Sequence, residues 1–291
     1  MNWFIWRAAF TFFILGLFAH QTIAQSSQPR ERLLMDFGWR FALGNANDPE
    51  KDFQFGKTYF YNSKAGFVDG PAATEFDDRG WREINLPHDW AVELPFEEHS
   101  DGGHGYKPVG LGFPQYNIGW YRKKFFIPAS DLGRRIRIEF DGVFRDSTVF
   151  VNGFRFGPHE SGYTSFGYDI SEVLNYGSEN TVAVRVDATR KEGWFYEGAG
   201  IYRHVWLGKT APLHVAPRGT FVSSQVKKNS ADVTAQTTIS NDDKTVATFD
   251  LEQKIVDPAG KEAATVAQQR LTLAAGATRE FSTDISVGSP Q

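Results

Sequence analysis

The chain contains no cysteine, which excludes disulfides, thiol nucleophiles and thiolate metal sites together. It also lacks any basic run or basic aromatic platform. With 31 Lys and Arg against 35 Asp and Glu, the formal charge is −4. A negative surface without a cationic stripe argues against nucleic acid, whose phosphates demand positive charge. No amphipathic helical period extends beyond a turn or two, so helical architectures are poorly supported. Residues at a recurring zinc spacing are absent as well. His99 and His104 flank Asp101 in a glycine-rich stretch that reads as a solvated loop.

What is present begins with an apolar segment. Residues 1–24 run from one positive charge, Arg7, through the apolar stretch Ala8 to Ala19 to a small residue, Ala24, followed by polar Gln25. The apolar run is shorter than the ~20 residues of a membrane span, and the flanks fit a secretory signal peptide. An uncleaved anchor is the alternative. No cysteine follows the run, so lipid attachment has no acceptor. Export to the periplasm or the extracellular space is therefore expected, in a protein stabilised by its core rather than by disulfides. The remaining chain of about 265 residues has the size at which cores split into two domains.

Period-two alternation dominates that remainder. Arg135-Ile136-Arg137-Ile138-Glu139-Phe140 places three apolar residues on one face and charges on the other, and Thr181 to Asp187 repeats the scheme. Thr148 to Val151 meets Phe154 to Phe156 across Asn152-Gly153, a turn pair in which both residues favour positive φ. Trp39, Trp81 and Trp120 read as core residues. The fold class is all-β, with a jelly-roll β-sandwich leading. After Ala211-Pro212 aromatics thin out and Thr, Val, Ala and Gln take over. That shift marks a boundary, placing a first domain at 25–215 and an immunoglobulin-like sandwich at 216–291. Turns are expected at Asn241-Asp242-Asp243 and Asp257-Pro258-Ala259-Gly260. The second part holds about 75 residues where such a sandwich uses ~100, so its last strands are expected to be missing.

Trp194 to Trp206 concentrates aromatic rings, Glu197, Arg203 and two glycines, Gly198 and Gly200, in an irregular stretch. Ring faces can cover the C–H faces of a pyranose while Glu and Arg reach hydroxyls, and glycine lets the backbone turn sharply. Capping of a β-core is the alternative. Arg203, set between Tyr202 and His204, is expected in a buried ion pair with Asp141 or Asp146. His88 and Asp89, after Pro87, read equally as a turn lock through neighbouring backbone.

Seven strings in order resemble the N-terminal part of glycoside hydrolase family 2, and its bacterial β-galactosidases in particular. They are Gly38-Trp39-Arg40-Phe41, Leu86-Pro87-His88-Asp89-Trp90, Gly119-Trp120-Tyr121-Arg122-Lys123, Phe140-Asp141-Gly142-Val143, Val151-Asn152-Gly153, Gly162-Tyr163-Thr164-Ser165-Phe166 and Gly198-Ala199-Gly200-Ile201-Tyr202-Arg203. The resemblance is dense from about residue 33 to 215. It implies a galactose-binding-like jelly roll, an immunoglobulin-like spacer and a catalytic barrel carrying two glutamates beyond Gln291. No catalytic residue is assigned within this chain, and hydrolysis by it alone is not expected. Mg or Na can occur in full-length family enzymes, but no cofactor or metal is assigned here. Carbohydrate and the absent barrel are the implied partners. Asp89, Asn117, Trp194, Tyr196 and Glu197 are the implied substrate-binding residues. In many relatives an Arg-Trp-Tyr string stands where this chain has Trp194-Phe195-Tyr196, so an Arg contact is not carried over. The alternative is a free-standing lectin-like module without hydrolase activity.

Overall fold

The computed structural model describes residues 30–57, 64–100, 102–191, 193 and 197–288. These residues form an all-β fold whose only helical pieces are short 3-10 turns. A four-stranded sheet contains β1 (Arg30–Leu34), β10 (Val205–Thr210), β5 (Arg135–Phe140) and β8 (Phe166–Asp169), in that order. A six-stranded sheet contains β3 (Arg82–Ile84), β2 (Trp39–Leu43), β4 (Ile118–Ile127), β9 (Ser178–Asp187), β6 (Ser147–Val151) and β7 (Phe154–His159). All pairings are antiparallel.

Alternation explains how these sheets close on each other. Ile136, Ile138 and Phe140 of β5 meet Val182, Val184 and Val186 of β9 in one core, together with Val205, Leu207, Tyr121 and Trp39. The hairpin forms where expected, with Val151 opposite Phe154 and φ of 49° at Asn152 and 84° at Gly153.

β9 departs from the expected apolar-in, charged-out scheme because its second face is also buried. Ala183 joins Ile118, Trp120 and Phe150 in a second cluster covered by Ala72, Trp81, Phe53, Phe55 and Phe76. The cover is the irregular segment between β2 and β3. Two buried charges fasten it. Arg122, with no solvent exposure, donates to the carbonyls of Pro71, Ala73, Thr74 and Phe76 and to Asp78 Oδ2 at 2.8 Å. Asp52 accepts from Trp120 Nε1 at 2.8 Å and from Arg185 at 3.0 and 3.1 Å. Burial nevertheless pushes the Asp52 carboxyl above its ordinary range, with Arg185 opposing.

The chain leaves the four-stranded sheet at Thr210 and enters another at Leu213. There β11 (Leu213–Val226), β12 (Ser230–Asn241) and β15 (Thr278–Gly288) pair in that order, beside a β13 (Ala247–Val256) and β14 (Glu262–Leu273) hairpin. Ile239, Leu273 and Phe281 form their shared core with Phe249 packed against it. Asn241 binds the carbonyls of Thr245, Leu273 and Ala274. Asp243 N donates to Asn241 Oδ1 at 3.2 Å in the first expected turn, and in the second Asp257 accepts from Gly260 through its carbonyl and from Ala259 through its side chain.

Candidate functional site

Four loop segments converge through backbone bonds rather than through a continuous strand. His88 N donates to Ile201 O and Trp90 N to Ala199 O, both at 2.8 to 2.9 Å, and Glu197 N donates to Gly103 O at 2.8 Å. Gly200 and Phe144 exchange both backbone bonds at 2.8 Å. Close approach dictates glycine here. At Gly200, with φ of 129°, a Cβ would stand 2.4 Å from Tyr121 Oη and 2.6 Å from His88 O. At Gly198 it would stand 2.0 Å from Asp89 Oδ2.

Asp89 joins two of these segments. Its Oδ1 accepts from Ala91 N at 2.9 Å, capping the 3-10 turn Trp90–Glu93, and from Ala199 N at 2.8 Å. The turn-lock reading thus holds for Asp89, which stays half-buried. His88 instead bonds side chains. Arg82 can only donate, so its 2.8 Å contact makes His88 Nε2 the acceptor and places the ring proton on Nδ1. Nδ1 then donates to Tyr121 Oη at 2.8 Å. Burial holds His88 below its ordinary value; Arg82 adds to this, while Glu93 and Asp89 oppose it.

Several expected roles change. Asn117 is fully buried. Its amide donates to Gly110 O at 2.7 Å and accepts from Gly110 N at 2.8 Å, so it locks the 110 loop instead of facing a sugar. Glu197 is 1% exposed and accepts from Gly193 N. Its carboxylate is turned inward onto a backbone amide rather than offered as an exposed acceptor. Arg203 is exposed and makes no ion pair among the described residues. β10 begins only at Val205, which leaves Arg203 in the preceding loop. Asp141 is engaged by Trp206 Nε1 at 2.9 Å and by Arg32 at 3.6 Å, and Asp146 by Arg145. His104 is not solvated. It is 1% exposed, and its Nδ1 lies 2.9 Å from Glu197 O. Trp194, Phe195, Tyr196 and Asp101 lie outside the described residues. Trp39, Trp81 and Trp120 are core, as expected.

One aromatic was missed as a contact candidate. Tyr163 is 48% exposed, its ring rests edge-on against Phe144, and its hydroxyl lies 3.7 Å from where a Gly193 Cβ would stand. Its only sequence signal was the Gly162-Tyr163-Thr164-Ser165 string. The cluster therefore offers an exposed ring and a half-buried carboxylate beside a tightly braced loop, an arrangement suited to holding a hydroxylated ring. Among the described residues no group of three or more His, Cys, Asp or Glu is arranged to hold a metal.

Residues 35–211 match the profile described as "Glycosyl hydrolases family 2, sugar binding domain". The chain belongs to glycoside hydrolase family 2. It is 37% identical over 269 residues to a β-galactosidase of Bacteroides ovatus, covering 90% of this chain and 28% of that protein. A solved family 2 member from Bacteroides cellulosilyticus superposes with a TM-score of 0.72 at 31% identity, covering 89% of this chain and 32% of the other. A Bacteroides uniformis β-glucuronidase superposes at 0.72 with 27% identity, covering 90% and 28%. The chain thus spans between about a quarter and a third of these family 2 relatives' length. Both galactosidases and glucuronidases stand among them.

Proposed function

We propose that this chain is the substrate-recognising N-terminal portion of an exported, β-galactosidase-like family 2 hydrolase that cleaves O-glycosyl bonds with retention. The observation that carries the reading is the match over nearly the whole chain to the Bacteroides ovatus β-galactosidase, of which it spans just over a quarter. Retention requires a carboxyl acid and base and a carboxylate nucleophile about 5 Å apart. Both belong, in this reading, to a barrel that follows the jelly roll of residues 25–215 and the sandwich from 216. The loop cluster then holds the terminal sugar and fixes the scissile bond in reach of those carboxylates. Asp89, Trp194, Tyr196 and Tyr163 contact the sugar, while Glu197 and Asn117 serve the surrounding backbone rather than the sugar.

A panel of nitrophenyl glycosides offered to the full-length product tests this. The β-galactoside should turn over fastest, with retained anomeric configuration by NMR, and the 291-residue chain alone should hydrolyse none. Preference for the glucuronide would reassign the substrate. Binding of galactose by a naturally barrel-free product would instead support the lectin-like module.

A further inference from the structure

The outer face of the four-stranded sheet carries a feature that the recognition loops do not use. Strand pairing sets two rows across it, Arg30–Thr210–Arg135 and Arg32–Gly208–Arg137, so arginines flank a floor made by Thr210 and Gly208. Pro217 of β11 lines the cavity over this floor, and Arg218 lines the one beside it. Two adjoining cavities of about 190 and 380 Å³ result, sharing Arg30, Arg32, Arg137, Glu139 and Pro217. The floor is empty by composition, not by packing: a Cβ on Gly208 would meet nothing nearer than Arg137 O at 3.8 Å.

The guanidinium groups differ in how far they are satisfied. Arg135 is fully engaged by Asp169, Glu172 and Asp242 at 2.7 to 3.2 Å. Arg32 lies over the Trp206 ring at 3.9 Å and reaches Glu139 and Asp141 only at 3.6 Å, too far for a hydrogen bond. Arg137 donates to Gly167 O at 2.6 Å, yet its enclosed Nε has no hydrogen-bond acceptor, with Glu139 at 3.5 Å. Arg218 donates to the neutral oxygens of Ser165. Guanidinium groups without a close acidic partner in a concave site match the paired oxygens of a carboxylate or sulfate. Glu139, Asp141 and Ser165 add acceptors of the kind hydroxyls need.

We propose that this groove binds an acidic sugar residue, one bearing a carboxylate or a sulfate ester, with the acid group on Arg32 and Arg137. The inference does not depend on the loop cluster, since the groove shares no lining residue with it. The ring sits on the Gly208 floor. The site thereby favours glycans carrying acidic residues beyond the sugar that is cleaved.

Saturation-transfer NMR on the full chain tests this with glucuronic acid, galactose 6-sulfate, galactose and inorganic sulfate as probes. At least one acidic sugar should bind saturably and resist competition by tenfold excess galactose. Its affinity should fall at least tenfold in Arg32→Gln or Arg137→Gln. Gly208→Val, which fills the floor without altering charge, should abolish binding while circular dichroism stays native. Binding of glucuronic acid alone would assign a carboxylate, and of the sulfated sugar alone a sulfate ester. Three outcomes would overturn the proposal: no acidic sugar binding, binding indifferent to Gly208→Val, or inorganic sulfate binding as tightly as the sugars.

Discussion

The two sheets of the first sandwich share an inner core, but their outer faces are finished differently. On the six-stranded sheet, Trp120, Ile118 and Phe150 point outward and are sealed by an irregular cover rich in Phe. Arg122 holds that cover by its carbonyls. On the four-stranded sheet the outward positions are Arg32, Arg137 and Glu139, and the segment above them leaves cavities. A guanidinium is thus used in two ways by one fold. Encased and saturated with acceptors, it acts as a rivet; half-exposed with donors to spare, it leaves chemistry available at the surface.

That contrast predicts a graded response to substitution. Arg122→Ala should cost ~3–5 kcal/mol, because it strands Asp78 and a set of buried carbonyls, and urea unfolding would show it as a large fall in midpoint. A loss below ~1 kcal/mol would mean the cover is held by its rings alone. Asn117→Ala, at a locked loop with no solvent contact, should cost ~1–3 kcal/mol by the same assay. His88 supplies a pH test from a residue packed against Phe41 and Tyr121. Its folded pKa is depressed below 6.5, so the unfolded chain takes up the proton first as pH falls. The contribution of neutral His88 is complete above pH 6.5 and declines below it, by at most ~1.4 kcal/mol per pH unit. Thermal melts from pH 8 to 5 should show this decline, and His88→Gln should remove it. Glu139→Gln, on the open face with loose pairs at 3.5 and 3.6 Å, should change stability by less than ~1 kcal/mol. A cost near that of Arg122→Ala would break the comparison.

Sequence pattern carried the regular parts of this molecule well. Alternation in β5 and the Asn152-Gly153 turn are local signals, and both are realised residue by residue. The double burial of β9 was hidden because its cover contributes Phe53, Phe55 and Phe76 from a segment without strand period. Side-chain destinations were harder still. Arg203 was expected in a buried ion pair but lies exposed in the loop before β10, and Asp141 is engaged by Trp206 and Arg32 instead. Glu197 and Asn117 carry polar groups that suit sugar hydroxyls, yet those same groups suit backbone amides and carbonyls. Residue type alone does not separate the two uses. Exposure of Tyr163 likewise depends on how distant loops stack.

The bond from Ala199 N to Asp89 ties positions 110 residues apart in sequence, and Gly198 must lack a side chain for it to form. The two loops are consequently one transferable part. An engineer exchanging the 193–201 loop between relatives to alter sugar preference would have to carry the 86–91 segment with it. A graft of either alone would install a carboxylate without its amide, or a glycine opposite nothing.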